Sequence, residues 1–346
     1  MGHAITDRNR WPRRCVSVGG LLMLTLVVIP TAPLWVVLAV AVDLITGRTV
    51  TRAGLFFGWY LLLSVFGVCA AVGLWVVGGV WPVPSGREAG WHHRLQRWWS
   101  AQLFRGLCAL FRVSVEVEGG LPSRNGPAIV LSRHVSTADT LLPMVVLANP
   151  LGRNVRYVLK RELLWDPCLD IVGQRVPNAF VHRGGADADG DLERVRSLTQ
   201  HLGAQDCIVL FPEGTRFTEA RRQRHLERLA ASGAVERLDH ARALEHLLPM
   251  RAGGVQALLD GAPDVDVVFL AHVGLEGVTR MSTLVDGSLL GRRLQVNVRR
   301  VPARAVPTEP AARAQWLQEQ WLSVDRWVGV RRSATQPVGA EAVLTV

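Results

Sequence analysis

The sequence predicts an α/β fold: a largely parallel mixed sheet of about seven strands flanked by helices, preceded by an N-terminal transmembrane helical hairpin. Three observations carry this. The chain opens with two uncharged runs, one over 15–42 and one from Ala53 past Trp81. Beyond residue 113, short β-branched runs alternate with helical stretches, the pattern of strands joined by crossover helices. Between these regimes, the stretch 86–111 repeats its apolar residues at helical spacing.

Taken in order, each uncharged run is long enough to cross a bilayer core, which needs about 20 apolar helical residues. A cleaved signal peptide is shorter and is not followed so closely by a second such run. Pro30 and Pro33 interrupt the first run, making it either a kinked span or a helix pair that dips in and returns. Arg8, Arg10, Arg13 and Arg14 precede it, while only Arg48 and Arg52 lie between the runs. Arg87, Arg94, Arg97, Arg105 and Arg112 follow the second run. The positive-inside rule therefore puts both ends of the hairpin on the cytoplasmic face and the loop 43–52 opposite. This predicts a multi-pass protein of the cell inner membrane or plasma membrane.

Residues 1–84 form the membrane region on this reading, and 85–112 an amphipathic interfacial helix. In that helix Trp91, Leu95, Trp98, Trp99, Leu103, Leu107, Leu110 and Phe111 share a face, away from Arg94, Arg97 and Arg105. Trp and Arg together suit the headgroup region, although the second half of the helix equally suits docking on a soluble core. The α/β domain occupies 113–330. Its strands are VSVEV (113–117), AIVLS (128–132), VRYVL (155–159), AFVH (179–182), CIVLF (207–211), VDVVFLA (265–271) and LQVNVRRV (294–301). Helices are expected over 141–148, 191–202, 218–232, 254–260 and 311–328, and GGADADGD (184–191) reads as a loop. The tail 331–346 lies beyond the last periodic helix and is expected to be disordered.

Composition narrows the function classes. The net charge is +10, with Lys160 the single lysine among 39 basic residues. Such a balance favours acidic partners. Arginine flanking apolar segments points to a phospholipid membrane rather than nucleic acid. The five cysteines never form a C-x₂-C, so neither a disulfide framework nor a zinc site is implied, and a reducing compartment fits.

The spacing H-x₄-D occurs three times, at His134/Asp139, His182/Asp187 and His201/Asp206. Chance gives about 0.4 matches in a chain of this composition, so spacing alone decides nothing. His201 and Asp206 bracket a helix end and a turn, and Asp187 lies in the Gly-rich loop. His134, in contrast, leaves the C-terminal end of a strand, where open α/β sheets gather their ligands. Ser136 and Thr137 can cap the next helix, and Asp139 in its first turn can face back to the imidazole. A second signal, FPEGTR (211–216), also follows a strand and has a chance frequency on the order of 10⁻⁵ per chain.

With these residues in hand, the order RHVSTAD, AFVHR (179–183), FPEGTR, VVFLAHV (267–273) resembles the four blocks of the glycerolipid acyltransferase superfamily. This group includes the 1-acylglycerol-3-phosphate and lysophospholipid acyltransferases. The similarity runs from about residue 128 to 301 and includes KREL (160–163), FTEARRQRHL (217–226) and HLLPMRAGGV (246–255). WLQEQWLSVD (316–325) is similar to the C-terminal helix of the lysophosphatidate and lysocardiolipin branch. Three positions depart from the family pattern. Arg133 stands where the family has Asn, the fourth block lacks a proline, and His182 replaces a small or acidic residue.

The resemblance implies acyl transfer from acyl-CoA or an acyl carrier protein to a lysophospholipid hydroxyl, most simply 1-acylglycerol-3-phosphate. His134 would be the general base and Asp139 its orienting partner, with no cofactor and no metal. Arg183 and Arg216 would hold the acceptor phosphate, with Glu213, Gly214, Thr215 and Lys160 in the same site. Arg133, Phe180 and His182 would lie nearby. Another lysophospholipid, a glycolipid acceptor, or a lipid-binding protein without turnover are the alternatives.

Overall fold

The computed structural model describes residues 10–80, 85–119, 126–182, 187–276, 278 and 281–335. Apolar helices come first: α1 (Arg10–Val28), α2 (Ala32–Thr46) and α3 (Val50–Val80). Helical hydrogen bonding carries through the two prolines, with Thr31 N–H on Val27 O at 3.3 Å and Trp35 N–H on Thr31 O at 3.2 Å. The Trp35 indole donates to Val28 O at 2.9 Å, capping a carbonyl beside Pro30. The first apolar run is thus two helices, α1 and α2, joined at its prolines by the turn 29–31. Both α1 and α3 are long and apolar enough to cross a membrane.

The turn after α2 is built by Gly47 in a left-handed conformation (φ 66°) and by Asp43. The Asp43 carboxylate accepts from Val50 N–H at 2.6 Å and Thr51 N–H at 3.0 Å, capping α3. This turn touches the α/β domain. Thr49 is buried, its N–H donating to Val285 O at 2.9 Å and its hydroxyl to Leu284 O at 2.8 Å. At the other end, Arg13 and Arg14 converge on the fully buried Asp170, Arg13 at 3.2 Å and Arg14 at 3.1 Å. Arginine counting set the loop 43–52 across the membrane from the domain; the Thr49 bonds tie this loop to Leu284 and Val285 of the domain. The arginines that were counted also serve protein contacts: Arg52 bonds Leu110 O, and Arg13 and Arg14 bond Asp170.

Helix α4 (Ser85–Phe111) packs along α3. Leu95, Trp99, Leu103, Phe104, Leu107 and Phe111 are buried there and against the sheet. The expected interfacial helix is therefore a docking helix along both halves, because its Trp-rich face meets α3: Trp99 joins the α3 cluster and Trp98 contacts Phe66.

The sheet has seven strands: β1 (Ser114–Glu118), β2 (Ala128–Ser132), β3 (Asn154–Lys160), β4 (Ala179–Val181), β5 (Asp206–Leu210), β6 (Asp266–Val273) and β7 (Arg293–Val301). Their order is β1-β7-β6-β2-β5-β3-β4, parallel except for the β6/β7 pair. Strand β2 lies between β5 and β6, and all five of its residues are buried. Its alternation feeds two cores, Ala128 and Val130 facing the α4 side, Ile129 and Leu131 the other. That second core is closed by α5 (Ala188–Ser197), α6 (Ala252–Gly261) and α7 (Pro310–Thr335), with Trp321 fully buried. Helix α7 outlasts the predicted limit, so residues 331–335 are helical rather than tail. Arg331 bonds Glu118 at 2.8 Å and Arg332 reaches His246 at 3.1 Å. The rest of the expected tail lies outside the described residues. The predicted helix over 141–148 is a 3₁₀ turn, Ala138–Leu141, followed by a π-helical segment, Pro143–Ala148.

Candidate active site

Because β2, β5 and β6 run parallel, the segments leaving their C-terminal ends meet. Strand β2 delivers His134, β5 delivers FPEGTR, and the end of β6 carries His272. His134 Nδ1 lies 2.9 Å from Asp139 Oδ1. Asp139 is fully buried, and its Oδ2 accepts from Val135 N–H at 2.6 Å and Ser136 N–H at 2.7 Å. A carboxylate only accepts, so Nδ1 carries the imidazole proton and Nε2 presents a lone pair. Nε2 has no hydrogen-bond partner among the described residues, and the ring stays slightly exposed at 6%. Phe211 backs it, with ring centroids 4.7 Å apart.

The backbone of His134 is fixed equally firmly. Its carbonyl accepts from Phe217 N–H at 2.7 Å. Its N–H donates to Glu213 Oε1 at 2.7 Å, while Glu213 Oε2 takes Leu248 N–H at 2.9 Å. Burial pushes the Glu213 carboxyl up to about 8, against those two backbone bonds and the nearby Arg133 charge. Arg133 is fully buried, donating to His272 O at 2.5 Å, to His246 O at 3.2 Å and to Glu276. Burial works against ionisation of Glu276, yet the Arg133 guanidinium holds its carboxyl down at about 2.

Beside this centre opens a cavity of about 480 Å³. Ser136, Thr137 and Thr140 form its wall next to Asp139, and Phe56 and Tyr60 of α3 with Trp99 of α4 form the opposite one. The lining is mostly apolar, in the size range of small-molecule sites.

The sequence model of the family described as Acyltransferase matches residues 114–270, which hold both the His134–Asp139 pair and FPEGTR. Over those residues the chain is similar to that family. Among its relatives is 1-acyl-sn-glycerol-3-phosphate acyltransferase epsilon of Mus musculus, 26% identical over 225 residues, covering 62% of this chain and 60% of that one. The gamma enzyme of Homo sapiens is 28% identical over 238 residues, covering 67% of this chain and 58% of that one. The chain thus spans about three fifths of the length of these relatives. Among solved structures, the 1-acyl-sn-glycerophosphate acyltransferase PlsC of Thermotoga maritima is similar, with a TM-score of 0.49 and 13% identity over 81% of this chain and 98% of that one.

Of the three H-x₄-D pairs, only His134/Asp139 is bonded. Asp187 pairs with Arg194 at 2.7 Å, and Asp206 with Arg156 at 2.6 Å. His201 is exposed with φ 51°, and His182 is exposed beside Asp191. Arg216 Nη1 donates to Thr137 Oγ1 at 2.9 Å, which brings it and neighbouring Thr215 to the rim of the site. Two expected acceptor contacts need correction. Glu213 is buried with both oxygens on backbone N–H groups, so it braces the His134 loop instead of meeting a phosphate. Gly214 spends its own N–H on Phe211 O at 3.0 Å; its glycine identity answers to φ 67° and to Arg251, whose Cδ would lie 2.6 Å from a Cβ. Lys160 is turned to Glu162 at 2.9 Å, and Phe180 is buried. Arg183 lies outside the described residues. Sequence reasoning missed His272, Glu276 and the α3 wall of the cavity. A lone histidine in the apolar strand VVFLAHV was the available signal for the first.

Proposed function

We propose that this chain is a membrane-bound O-acyltransferase that moves a fatty acyl group from a thioester to a lysophospholipid hydroxyl, with 1-acylglycerol-3-phosphate the favoured acceptor. The observation that carries this is the His134–Asp139 pair, its Nε2 lone pair free, in the segment whose Ser136, Thr137 and Thr140 line an apolar cavity. An alcohol is far too weak an acid to attack unaided, and a positioned imidazole contributes roughly 10²–10⁴-fold. The acceptor hydroxyl gives its proton to His134 Nε2 as its oxygen attacks the thioester carbonyl carbon. The C–S bond then breaks, and the leaving thiolate takes the proton back from the imidazolium. Asp139 holds the ring through Nδ1 and faces the charge that forms on it.

The acyl chain fits the apolar cavity, and Arg216 at the rim suits the acceptor phosphate, since its planar fork binds two oxygens at once. Arg183 is proposed as a second phosphate ligand on the strength of the sequence motif. The donor is acyl-CoA or an acyl carrier protein, and the reaction needs neither metal nor cofactor. Membrane association is supported by exposed apolar side chains along α1, α2 and α3, among them Leu22, Leu26, Leu38, Ile45, Phe66 and Trp75. We assign the α/β domain to the cytoplasmic face of the inner or plasma membrane, where acyl thioesters are made.

The test is thiol release from acyl-CoA by the purified chain, with lysophosphatidate, other lysophospholipids and a glycolipid offered in turn. Release that depends on lysophosphatidate and vanishes in His134→Ala is expected. Full activity in His134→Ala would overturn the general-base reading, and release with a glycolipid alone would overturn the acceptor.

A further inference from the structure

The peptide unit joining Arg133 to His134 is held at both ends by buried side chains. Its N–H donates to Glu213 Oε1 at 2.7 Å, and its C=O accepts from His272 Nε2 at 3.3 Å. A carbonyl only accepts, so the His272 proton sits on Nε2. The same Nε2 lies 3.6 Å from Asp139 Oδ2, already the acceptor of Val135 and Ser136 N–H. Burial lowers the His272 pKa, with Arg133 adding to it and Asp139 and Glu276 opposing, which favours the neutral ring.

His272 is a costly choice on stability grounds. It is fully buried in an apolar strand, and its Nδ1 has no partner among the described residues. A buried unsatisfied polar atom carries a desolvation penalty that an aliphatic residue would avoid. The orphaned nitrogen calls for a reason, and the placement of the other nitrogen supplies one.

We propose that His272 is a positioning residue of the acyl-transfer centre. From one point on β6 its Nε2–H fixes the carbonyl that precedes His134 and flanks the carboxylate that orients the His134 ring. Val135 and Ser136 N–H occupy Asp139 Oδ2 and the His272 ring packs beside that oxygen, so that Oδ1 stays on His134. The proposal rests on His134 being the base.

Three substitutions in the intact chain test it. His272→Leu removes the donor, His272→Gln returns an N–H at about the reach of Nε2, and His272→Asn stops short, at the reach of Nδ1. Thiol-release kinetics would give kcat and both KM values, with melting temperature as the check on folding. Displacing catalytic groups by about 1 Å costs on the order of 100-fold, and that loss of kcat is expected for His272→Leu, with both KM values held within about 3-fold. His272→Gln should recover to within about 10-fold of the parent, and His272→Asn should not. Parental kcat in His272→Leu, or equal activity in the Gln and Asn variants, would overturn the proposal. Should the Leu variant fail to fold, the Gln–Asn comparison decides alone. An active His134→Ala removes the general-base reading itself; an inactive His134→Ala beside a fully active His272→Leu removes only the role of His272.

Discussion

Asp139→Asn asks whether the hydrogen-bond polarity of this carboxylate, rather than its shape, supports turnover. The amide keeps the shape, so the fold should persist, but it has one oxygen where the carboxylate has two. Asp139 Oδ2 accepts two backbone N–H bonds, at 2.6 and 2.7 Å, while Oδ1 faces His134 Nδ1 at 2.9 Å. Turning the NH₂ toward Val135 and Ser136 would set donor against donor twice, at about 1–3 kcal/mol for each buried group left unpaired. That total of roughly 2–6 kcal/mol keeps the amide oxygen on the backbone and aims the NH₂ at Nδ1. The imidazole must then accept there and carry its proton on Nε2, where the acceptor hydroxyl should deliver one. The expected loss of kcat is about 10⁴-fold, the size of the effect where the same exchange was made behind a catalytic histidine in another enzyme class. Thiol-release assays on variant and parent, with melting curves to verify folding, provide the check. Activity within about 10-fold of the parent would refute the tautomer argument.

Arg216→Lys should raise the acceptor KM roughly 10–100-fold and leave the donor KM unchanged, since a point charge loses one of two charged hydrogen bonds worth about 1.5–3 kcal/mol; initial rates with each substrate varied in turn would show it. Gly214→Ala should cost about 1–2 kcal/mol in denaturant unfolding, because φ is 67° there. Glu213 should make stability fall with pH: its carboxyl stands near 4.5 when unfolded and about 8 when folded, so its contribution is full below 4.5 and lost as pH rises through 8. At about 1.4 kcal/mol per pH unit this amounts to several kcal/mol, and melting curves across that window should flatten in Glu213→Gln. In a background without native cysteines, Arg48→Cys and Arg304→Cys, both exposed, should label from the same side of the membrane; labelling from opposite sides would contradict the Thr49 bonds.

The seven strands were legible because each is a short apolar run set off by turns or helices. β2 was readable to the residue, since Gly126 and Pro127 precede it and a polar loop follows. The segment after Ala138 was less so. Apolar residues at 141–148 fit a helical period, but Pro143 and the tertiary fit against α4 select 3₁₀ and π geometry instead. The side of the turn 47–49 was hidden for another reason. Hydropathy and arginine counts describe a chain facing lipid and water, and they carry no information about Thr49 meeting Leu284, more than two hundred residues away.

The same distinction runs through the site. His134 and Asp139 were legible because they are close in sequence and follow a strand end, so local geometry alone could unite them. Glu213 was visible as part of a motif, but its direction was not. A carboxylate in FPEGTR looks equally suited to substrate or to backbone, and only the approach of His134 on one side and the Leu248 segment on the other turns both its oxygens inward. His272 shows the limit most clearly. In sequence it is one polar residue in an apolar strand, usually a satisfied core histidine. It acquires meaning only through the β2/β6 register, which pairs Ser132 with Leu270 and so brings the next residues, Arg133 and His134, alongside it. Residues that could touch substrate were therefore read from motifs, whereas those that hold the motif in place come from strands remote in sequence. Substitutions of the second kind should lower kcat with little change in KM, and that kinetic signature is how the two groups can be told apart at the bench.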